Sequence, residues 1–256
     1  MQSSFFSDLL VLRSQSPLVY NLTNTVAASF TANALLALGA SPIMSNAIKE
    51  ADELCDASAS LVLNIGTLDD NQLHLMRYAG QRMHTLKRPI ILDPVGAGAT
   101  TYRTDAAQEL IRTCHPTIIR GNANEISSLV NPSLCSSHGV DATISSSDAV
   151  ESAKTLSQQT NAIVVISGQS DYITDGHITE VVTGGTVLQT RITAMGCTAT
   201  AITAAFAAIQ PDPMRACVDA MQVMSLAAER AQERTQGPGT LAAAFIDELY
   251  LLGLTK

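Results

Sequence analysis

Short apolar runs alternate with longer segments of helical periodicity along most of the chain. Runs that are apolar on both faces predict strands at residues 18–20, 42–44, 61–65, 89–95, 117–120 and 163–167. The intervening segments predict helices at 26–38, 47–57, 71–85, 105–113, 124–129 and 148–158. The helix at 26–38 is apolar all round and is expected to be buried. Strands of this kind, separated by helices, are typical of a mainly parallel sheet covered on both sides.

The pattern changes after Ser167. Residues 172–183 predict two short strands joined through Asp175-Gly176, a turn dipeptide. From Gly196 onward three helices are expected, at 198–209, 214–234 and 241–252, separated by prolines and by a Gly-Pro-Gly break. No linker or repeat interrupts the chain, so one α/β domain is predicted over residues 1–256.

The N-terminal segment 1–16 carries Asp8 and Arg13 within an apolar stretch and has no basic leader. It is expected to form an amphipathic helix, and neither a signal peptide nor a membrane span is predicted. The sequence is 46% hydrophobic and only 15% charged, whereas about a quarter is usual for charged residues. This balance favours a large core, or a core extended by contacts between subunits.

Charge and cysteine usage narrow the class of partner. Asp and Glu outnumber Lys and Arg by 23 to 15, and Trp is absent. A nucleic-acid partner is therefore not expected, because basic patches and stacking aromatics are both lacking. The five cysteines are scattered without a CxxC pair, which indicates reduced thiols in a cytosolic protein. The five histidines show no paired helical spacing, so a zinc site is not expected.

Polar residues cluster where the predicted strands end. In an open α/β sheet, ligands bind beyond the carboxyl ends of the strands. The residues at these ends are Asn24, Gly66, Asp93, Arg120 and Ser167. If the strands are parallel, the five residues share one rim, and the sequence predicts a single crevice there.

The residue types at this rim suit a nucleotide. Arg120 offers a fork of donors that matches phosphate oxygens, although it could instead be a surface residue paired with Glu125. Asp93 and Glu125 carry hard oxygen ligands that could hold magnesium between phosphates. Asp93 precedes Pro94, so a turn-forming side chain is the alternative for that position.

A second candidate feature is the segment 190–200, which runs into a predicted helix of small residues. Gly196 at a helix start leaves backbone N–H groups open to an anion. Cys197 would lie in the first turn, where the helix dipole favours the thiolate. A buried capping turn explains the same residues.

The sequence contains no GxxxxGK[ST] and no GxSxG motif, and Gly96-Ala97-Gly98 lacks the third glycine of a dinucleotide fingerprint.

Several long segments together resemble the hydroxyethylthiazole kinases, thiamin-salvage enzymes of the ribokinase-like fold. The matching segments are 17–24, 31–44, 64–68, 92–98, 119–126 and 167–176. The resemblance implies a three-layer α/β/α fold with a mainly parallel central sheet and an all-helical C-terminal segment. It also implies transfer of phosphate from ATP, with Mg²⁺, to the hydroxyl of 4-methyl-5-(2-hydroxyethyl)thiazole in the cytoplasm.

The same resemblance implies roles for individual residues. Cys197 matches the cysteine that stands where other ribokinase-like kinases carry an aspartate base. Asp93 and Glu125 match the magnesium-side carboxylates. The expected thiazole contacts are Asn24, Met44, Gly66 and Ala194, and the expected ATP contacts are Arg120, Ser167 and Gly196. Similar enzymes are homotrimers with thiazole sites between subunits.

The chain departs from the family at the turn before Cys197. The usual Gly-Thr-Gly-Cys is Ala194-Met195-Gly196-Cys197 here, and Ser167 replaces the usual threonine. Other readings remain open at this point. A hydroxymethylpyrimidine kinase would usually carry Asp at position 197. The altered turn could belong to a nucleotide-binding protein without turnover, and a dinucleotide-dependent oxidoreductase is disfavoured by the incomplete glycine fingerprint.

Overall fold

The strands of the protein form one mixed sheet. The structure, a computed structural model, describes residues 5–131 and 145–254. Its strands are β1 (Leu18–Leu22), β2 (Ser41–Ile43), β3 (Ser60–Asn64), β4 (Ile90–Asp93), β5 (Ile118–Asn122), β6 (Ile163–Ser167), β7 (Ser170–Thr174) and β8 (Thr179–Thr183). Their order is β2-β1-β3-β4-β5-β6-β7-β8. β1 to β6 pair in parallel. β7 pairs antiparallel with β6, and β8 pairs antiparallel with β7.

Helices fill the connections and the C-terminal part of the chain. They are α1 (Phe5–Gln15), α2 (Ala28–Leu38), α3 (Ala51–Ala57), α4 (Asp70–Thr85), α5 (Thr101–Cys114), α6 (Ala123–Val130), α7 (Val150–Thr160), α8 (Met195–Ala207), α9 (Pro213–Glu233) and α10 (Pro238–Leu251). Short 3₁₀ helices lie at Ile48–Glu50 and Val187–Arg191. Each predicted element is present, and the turn between β7 and β8 contains Asp175-Gly176. Residues 1–4 of the predicted first helix lie outside the described residues, as does Cys135.

The starts of α5, α8 and α10 lie three or four residues before the predicted positions. α5 begins four residues early, because the Thr100 side chain accepts a hydrogen bond from the Arg103 N–H and caps the helix. α8 begins at Met195, so Gly196 lies inside its first turn. Across the described part of the chain, none of the helices has the length and apolar content needed to span a membrane.

The sheet is buried on both faces, as its apolar strands predict. In β3, Val62 packs into one hydrophobic cluster, whereas Leu61 and Leu63 pack into the other. Because side chains alternate along a strand, a strand that contacts helices on both sides must be apolar at every position. The first cluster contains residues of α1, α2, α8, α9 and α10, and the second contains residues of α3–α7. The three-layer α/β/α architecture is confirmed.

α8 is the helix that brings the C-terminal half of the chain to the sheet. It packs against β1, β3 and β4. The helix is rich in alanine and threonine, and small side chains allow a close approach to the sheet. Its N-terminus reaches the carboxyl ends of the strands, which places Gly196 and Cys197 at the predicted rim.

The prediction that the helix at 26–38 is buried all round is wrong. α2 packs against α8 and α10 through Thr31, Ala34, Leu35 and Leu38. β2 also contacts α2, whereas the side of the helix that carries Leu36 is open, and this side chain is 60% exposed. Val26, just before the helix, is 62% exposed. An apolar surface therefore lies beside Asn24.

Candidate active site

The structure brings most of the predicted rim residues together. β1, β3, β4, β5 and β6 are parallel neighbours, so their carboxyl ends share one edge of the sheet. Side chains from these ends and from the start of α8 form one hydrogen-bonded cluster. The predicted residues that hydrogen-bond within it are Asn24, Gly66, Asp93, Arg120, Ser167, Gly196 and Cys197.

Arg120 is buried, which excludes the alternative of a surface ion pair with Glu125. Only 7% of its surface is exposed. Nη1 donates to the Gly196 carbonyl over 2.9 Å, and Nη2 donates to Ser167 Oγ over 2.7 Å. Nε is buried and has no hydrogen-bond partner among the described residues. A buried guanidinium with an unused donor is suited to an anionic ligand.

Asp93 is buried at the end of β4 and does not form the turn that its proline neighbour suggested. Its Oδ2 accepts from Asn64 Nδ2 over 2.6 Å and from Thr200 Oγ1 over 2.8 Å. Burial raises the pKa of Asp93 to about 6; the nearby Glu125 adds to this rise, whereas Arg120 opposes it. Both hydrogen bonds end on Oδ2, so Oδ1 is the oxygen that can face a cation.

Glu125 lies on the same rim but is held by backbone groups. Its Oε2 accepts from the Asn122 N–H over 2.8 Å in a capping box at the start of α6. Its Oε1 accepts from the Gly96 N–H over 2.9 Å. Glu125 therefore ties the β4–α5 loop to α6, and it places a second negative charge near Asp93.

Cys197 lies in the first turn of α8, as predicted, and is half-buried. Its Sγ accepts from Asn24 Nδ2 over 3.2 Å. The surroundings of Cys197 oppose the thiolate that a helix start would favour. Burial raises the pKa of the Cys197 thiol, and Asp93 adds to the rise. Hydrogen bonds from asparagine side chains and the charge of Arg120 only partly offset this effect.

The turn before Cys197 carries backbone strain. Ala194 caps α8 with φ 71° and ψ −4°, in the left-handed region. An alanine in this conformation costs about 1–2 kcal/mol, because its Cβ approaches the neighbouring carbonyl oxygen. A glycine would adopt this conformation without strain, and the Ala194 N–H is present for a ligand.

The residues expected on the thiazole side divide into two groups. Asn24 and Gly66 are in close contact: a Cβ added to Gly66 would lie 2.7 Å from Asn24 Nδ2. Met44 follows the edge strand β2 and is half-buried, next to Ser45, whose carbonyl accepts from the Tyr20 hydroxyl over 3.0 Å. Among the described residues no hydrogen bond links Met44 to the cluster around Cys197, and a substrate contact through its backbone amide stays a prediction.

Three residues of the site were not selected from the sequence. Asn64 and Thr200 both donate to Asp93. Arg103 donates from Nη1 to the Ile65 and Val95 carbonyls and from Nη2 to the Gly66 carbonyl, which joins the loops after β3 and β4. The polar Asn64 in an otherwise apolar run was a usable signal. Thr200 and Arg103 carry no local signal, because their partners are distant along the chain.

Comparison with known proteins gives one consistent family. The profile of the hydroxyethylthiazole kinase family matches residues 9–254. A hydroxyethylthiazole kinase of Leptospira biflexa is 47% identical over 96% of this chain and 91% of the relative. The corresponding protein of Brachyspira hyodysenteriae is 43% identical over 99% of this chain and 96% of its own length.

Solved structures agree with the sequence relatives. A hydroxyethylthiazole kinase protein from Pyrococcus horikoshii OT3 has a TM-score of 0.88 and 36% identity, covering 96% of this chain and 92% of that one. A pyridoxal kinase from Staphylococcus aureus in complex with AMP-PCP has a TM-score of 0.60 at 16% identity, over 83% of this chain and 88% of that one. The second similarity extends to the fold alone.

Proposed function

The chain belongs to the hydroxyethylthiazole kinase family, and on this basis we propose that it transfers the γ-phosphoryl group of ATP to the alcohol of hydroxyethylthiazole. The observation that carries the proposal is the cluster formed by Arg120, Asp93 and Cys197 around the start of α8. It combines a phosphate-binding cation, a carboxylate and a proton acceptor within one rim.

Arg120 and α8 provide the site for phosphate. The N–H groups of the first turn of α8 are directed toward the rim, and the helix dipole favours negative charge there. Arg120 is fixed beside them by its bonds to the Gly196 carbonyl and to Ser167. Phosphoryl transfer has a loose transition state with charge spread over the equatorial oxygens. Pre-oriented donors stabilise this charge without reorganisation during the reaction.

Asp93 and Glu125 fit a magnesium ion. No three His, Cys, Asp or Glu side chains in the described ranges group closely enough to hold a metal by themselves. Mg²⁺ is commonly held by one or two carboxylates together with waters and substrate phosphates, which matches this donor set. Asp93 would hold the ion through Oδ1, and Glu125 would act through water because both of its oxygens accept backbone N–H groups. When bound, Mg²⁺ would partly neutralise the charge of the phosphates.

Cys197 is the proposed acceptor for the alcohol proton. Its Sγ faces the side chain of Asn24, on the proposed thiazole side of the site. Only the thiolate of Cys197 can accept this proton, and the raised pKa of Cys197 makes the thiolate the minor form. The base is needed only late in transfer, when bonding to phosphorus has made the alcohol oxygen acidic, so the thiolate contributes a modest part of the rate. Orientation and charge stabilisation account for most of the rate.

We also propose a homotrimer with thiazole sites between subunits. Exposed apolar side chains flank the proposed thiazole residues: Val26 follows Asn24, and Ile48 follows Met44. Leu36 on α2 is also exposed, beyond the exposed polar residues Ser29 and Asn33. Contact with another subunit would bury these side chains and close the site beside Met44.

The scattered cysteines support a cytosolic location for the enzyme.

The test is ADP formation from ATP and Mg²⁺ across a panel of alcohols. We expect turnover with hydroxyethylthiazole and a phosphate ester as product, and little turnover with hydroxymethylpyrimidine. ATP binding without thiazole-dependent ADP formation would identify a nucleotide-binding protein that lacks catalysis. Omitting Mg²⁺ should abolish turnover, and adding Mg²⁺ back should restore it.

A further inference from the structure

Asn64 is a buried polar residue at the end of β3, and its side-chain amide makes three hydrogen bonds. Its Nδ2 donates to Asp93 Oδ2 over 2.6 Å. Its Oδ1 accepts from Asn24 Nδ2 over 2.9 Å and from the Gly66 N–H over 3.0 Å. One side chain therefore joins the proposed magnesium carboxylate to two residues on the proposed thiazole side.

The partners of Asn64 determine which way its amide points. The carboxylate of Asp93 can only accept a hydrogen bond, and the backbone N–H of Gly66 can only donate one. The side chain must therefore direct NH₂ to Asp93 and oxygen to Gly66, because a flipped amide would place like groups together. The oxygen in this orientation also faces Asn24 Nδ2.

Asn24 is fixed in turn. The Ala27 N–H donates to its Oδ1 over 2.8 Å, and Asn64 accepts from its Nδ2. The same Nδ2 lies 3.2 Å from Cys197 Sγ. The sulfur therefore receives an N–H donor, and it acts as an acceptor in this contact.

We propose that Asn64 is a positioning residue for phosphoryl transfer, which holds Asn24 and the Gly66 loop so that Cys197 Sγ faces N–H donors at a fixed distance from Asp93. The inference rests on the proposed role of Cys197 as proton acceptor. Asn64 acts on the thiol through Asn24 and through its own N–H group, and no contact between Asn64 and substrate is required.

This arrangement has a measurable effect on the thiol. An N–H group that donates to sulfur stabilises the thiolate relative to the thiol. The hydrogen bonds of Asn24 and Asn64 lower the pKa of Cys197, against the larger rise caused by burial. The charged groups facing the thiol are Asp93, which raises this pKa, and Arg120, which lowers it.

The experiment compares Asn64→Ala with Asn21→Ala in the full-length protein. Asn21 is equally buried on the neighbouring strand β1, and its Nδ2 donates to the Val19 carbonyl, away from Cys197. Iodoacetamide is the probe, and mass spectrometry of the peptide that contains Cys197 measures alkylation from pH 7 to 12, because the pKa of this thiol is already raised. The midpoint of the profile should rise by about one pH unit in Asn64→Ala, the order expected for the loss of one hydrogen bond to an ionised group.

Kinetics supply the second measurement. We expect kcat of Asn64→Ala to fall about tenfold, with the KM for ATP changed less than about threefold, because the Arg120 side of the site is left intact. Asn21→Ala should be less stable and should keep the wild-type alkylation midpoint. An unchanged midpoint in folded Asn64→Ala would overturn the inference.

Asn64→Ser extends the test if the alanine variant does not fold. Its shorter side chain loses the amide contacts with Asn24 and Asp93 but keeps a polar group in the site, so the same rise in the midpoint is expected. The alkylation profile does not depend on turnover. Absence of kinase activity in the wild-type protein would therefore contradict the proposed function, whereas an unshifted midpoint would contradict the role of Asn64.

Discussion

Arg120 Nη1 donates to the Gly196 carbonyl over 2.9 Å, although 76 residues separate the two in the sequence. The contact joins β5 to the first turn of α8 and fixes the guanidinium beside the N–H groups proposed to bind phosphate. It also leaves little room at Gly196. A Cβ at this position would lie 3.1 Å from Nη1, which is a tight contact.

Gly196→Ala should therefore lower activity without lowering stability. Gly196 lies inside a helix, where alanine is more favourable than glycine by about 1 kcal/mol. The added methyl should displace Arg120 and lower kcat/KM for ATP by about tenfold. Steady-state kinetics and thermal unfolding measure the two effects. Gly239→Ala is the matched control, because nothing lies within 4 Å of a Cβ there. Unaltered kinetics in Gly196→Ala would count against the proposed phosphate site.

Ala194→Gly should stabilise the protein. Ala194 holds a φ of 71°, and glycine adopts this conformation without steric cost. The free energy of unfolding should rise by about 1 kcal/mol, as measured by chemical denaturation. The control is Ala208→Gly at the opposite end of α8, where φ is −68° and glycine should destabilise by about 0.5–1 kcal/mol. An equal change in the free energy of unfolding at both positions would contradict the backbone strain assigned to Ala194.

Cys197→Ala should reduce kcat at the mild end of the range for a general base, about 10²-fold, because the alcohol needs a proton acceptor only late in transfer. Cys197→Asp should keep activity, since a carboxylate can accept the same proton. Stopped-flow or coupled ADP assays measure both variants. Cys217→Ala, in the buried core, is expected to affect stability and leave kcat unchanged. A folded but inactive Asp variant would exclude Cys197 as the base.

Asp219→Asn should stabilise the protein in a pH-dependent manner. The side chain is fully buried beside Asp8, and Arg215 Nε lies 3.7 Å from its Oδ2. Burial raises the pKa of Asp219 to about 7; Asp8 adds to the rise, and Arg215 opposes it. Between about pH 4 and pH 7 the folded state keeps a proton that the unfolded state has released, so stability falls as pH rises.

Replacing Asp219 with asparagine removes this loss of stability, because the asparagine side chain is neutral at every pH. The free energy of unfolding of Asp219→Asn should exceed that of the wild type by on the order of 2 kcal/mol at pH 8, with little difference at pH 4.5. Urea denaturation at the two pH values measures the change. The exposed Asp247 on α10 provides a control, in which Asn should have no comparable effect. A gain that is equal at both pH values would exclude the proton as its cause.

Leu36→Glu tests the proposed subunit contact. A charge in an apolar interface costs several kcal/mol, so we expect a trimer to dissociate, as light scattering would show. Thiazole turnover should fall with it. Leu10→Glu, at an exposed leucine on α1, should leave the assembly intact. A wild-type protein that is monomeric at micromolar concentration would exclude the shared site.

The secondary-structure elements and most residues of the site could be predicted from the sequence. Periodicity is a local property, so the apolar runs predicted β1, β3–β6 and the helices between them. The positions of Asp93, Arg120 and Ser167 at strand ends predicted one rim once the sheet was taken as parallel. The resemblance, carried by several long segments, added the chemistry. The prediction of the elements and of the rim required only local sequence patterns and the rule that ligands bind beyond the carboxyl ends of parallel strands.

Tertiary structure decided the partners and the charge state of these groups. The bonds of Asn64 and Thr200 to Asp93 join distant segments, and their formation depends on how α8 packs against the sheet. Burial reversed the expected effect of the helix start on Cys197, because desolvation acts through the surroundings and is not encoded in local sequence. The exposed face of α2 likewise follows from which elements pack beside it. Hydrogen-bond partners, burial and pKa values depend on long-range packing, and this is why the pattern of residues alone could not supply them.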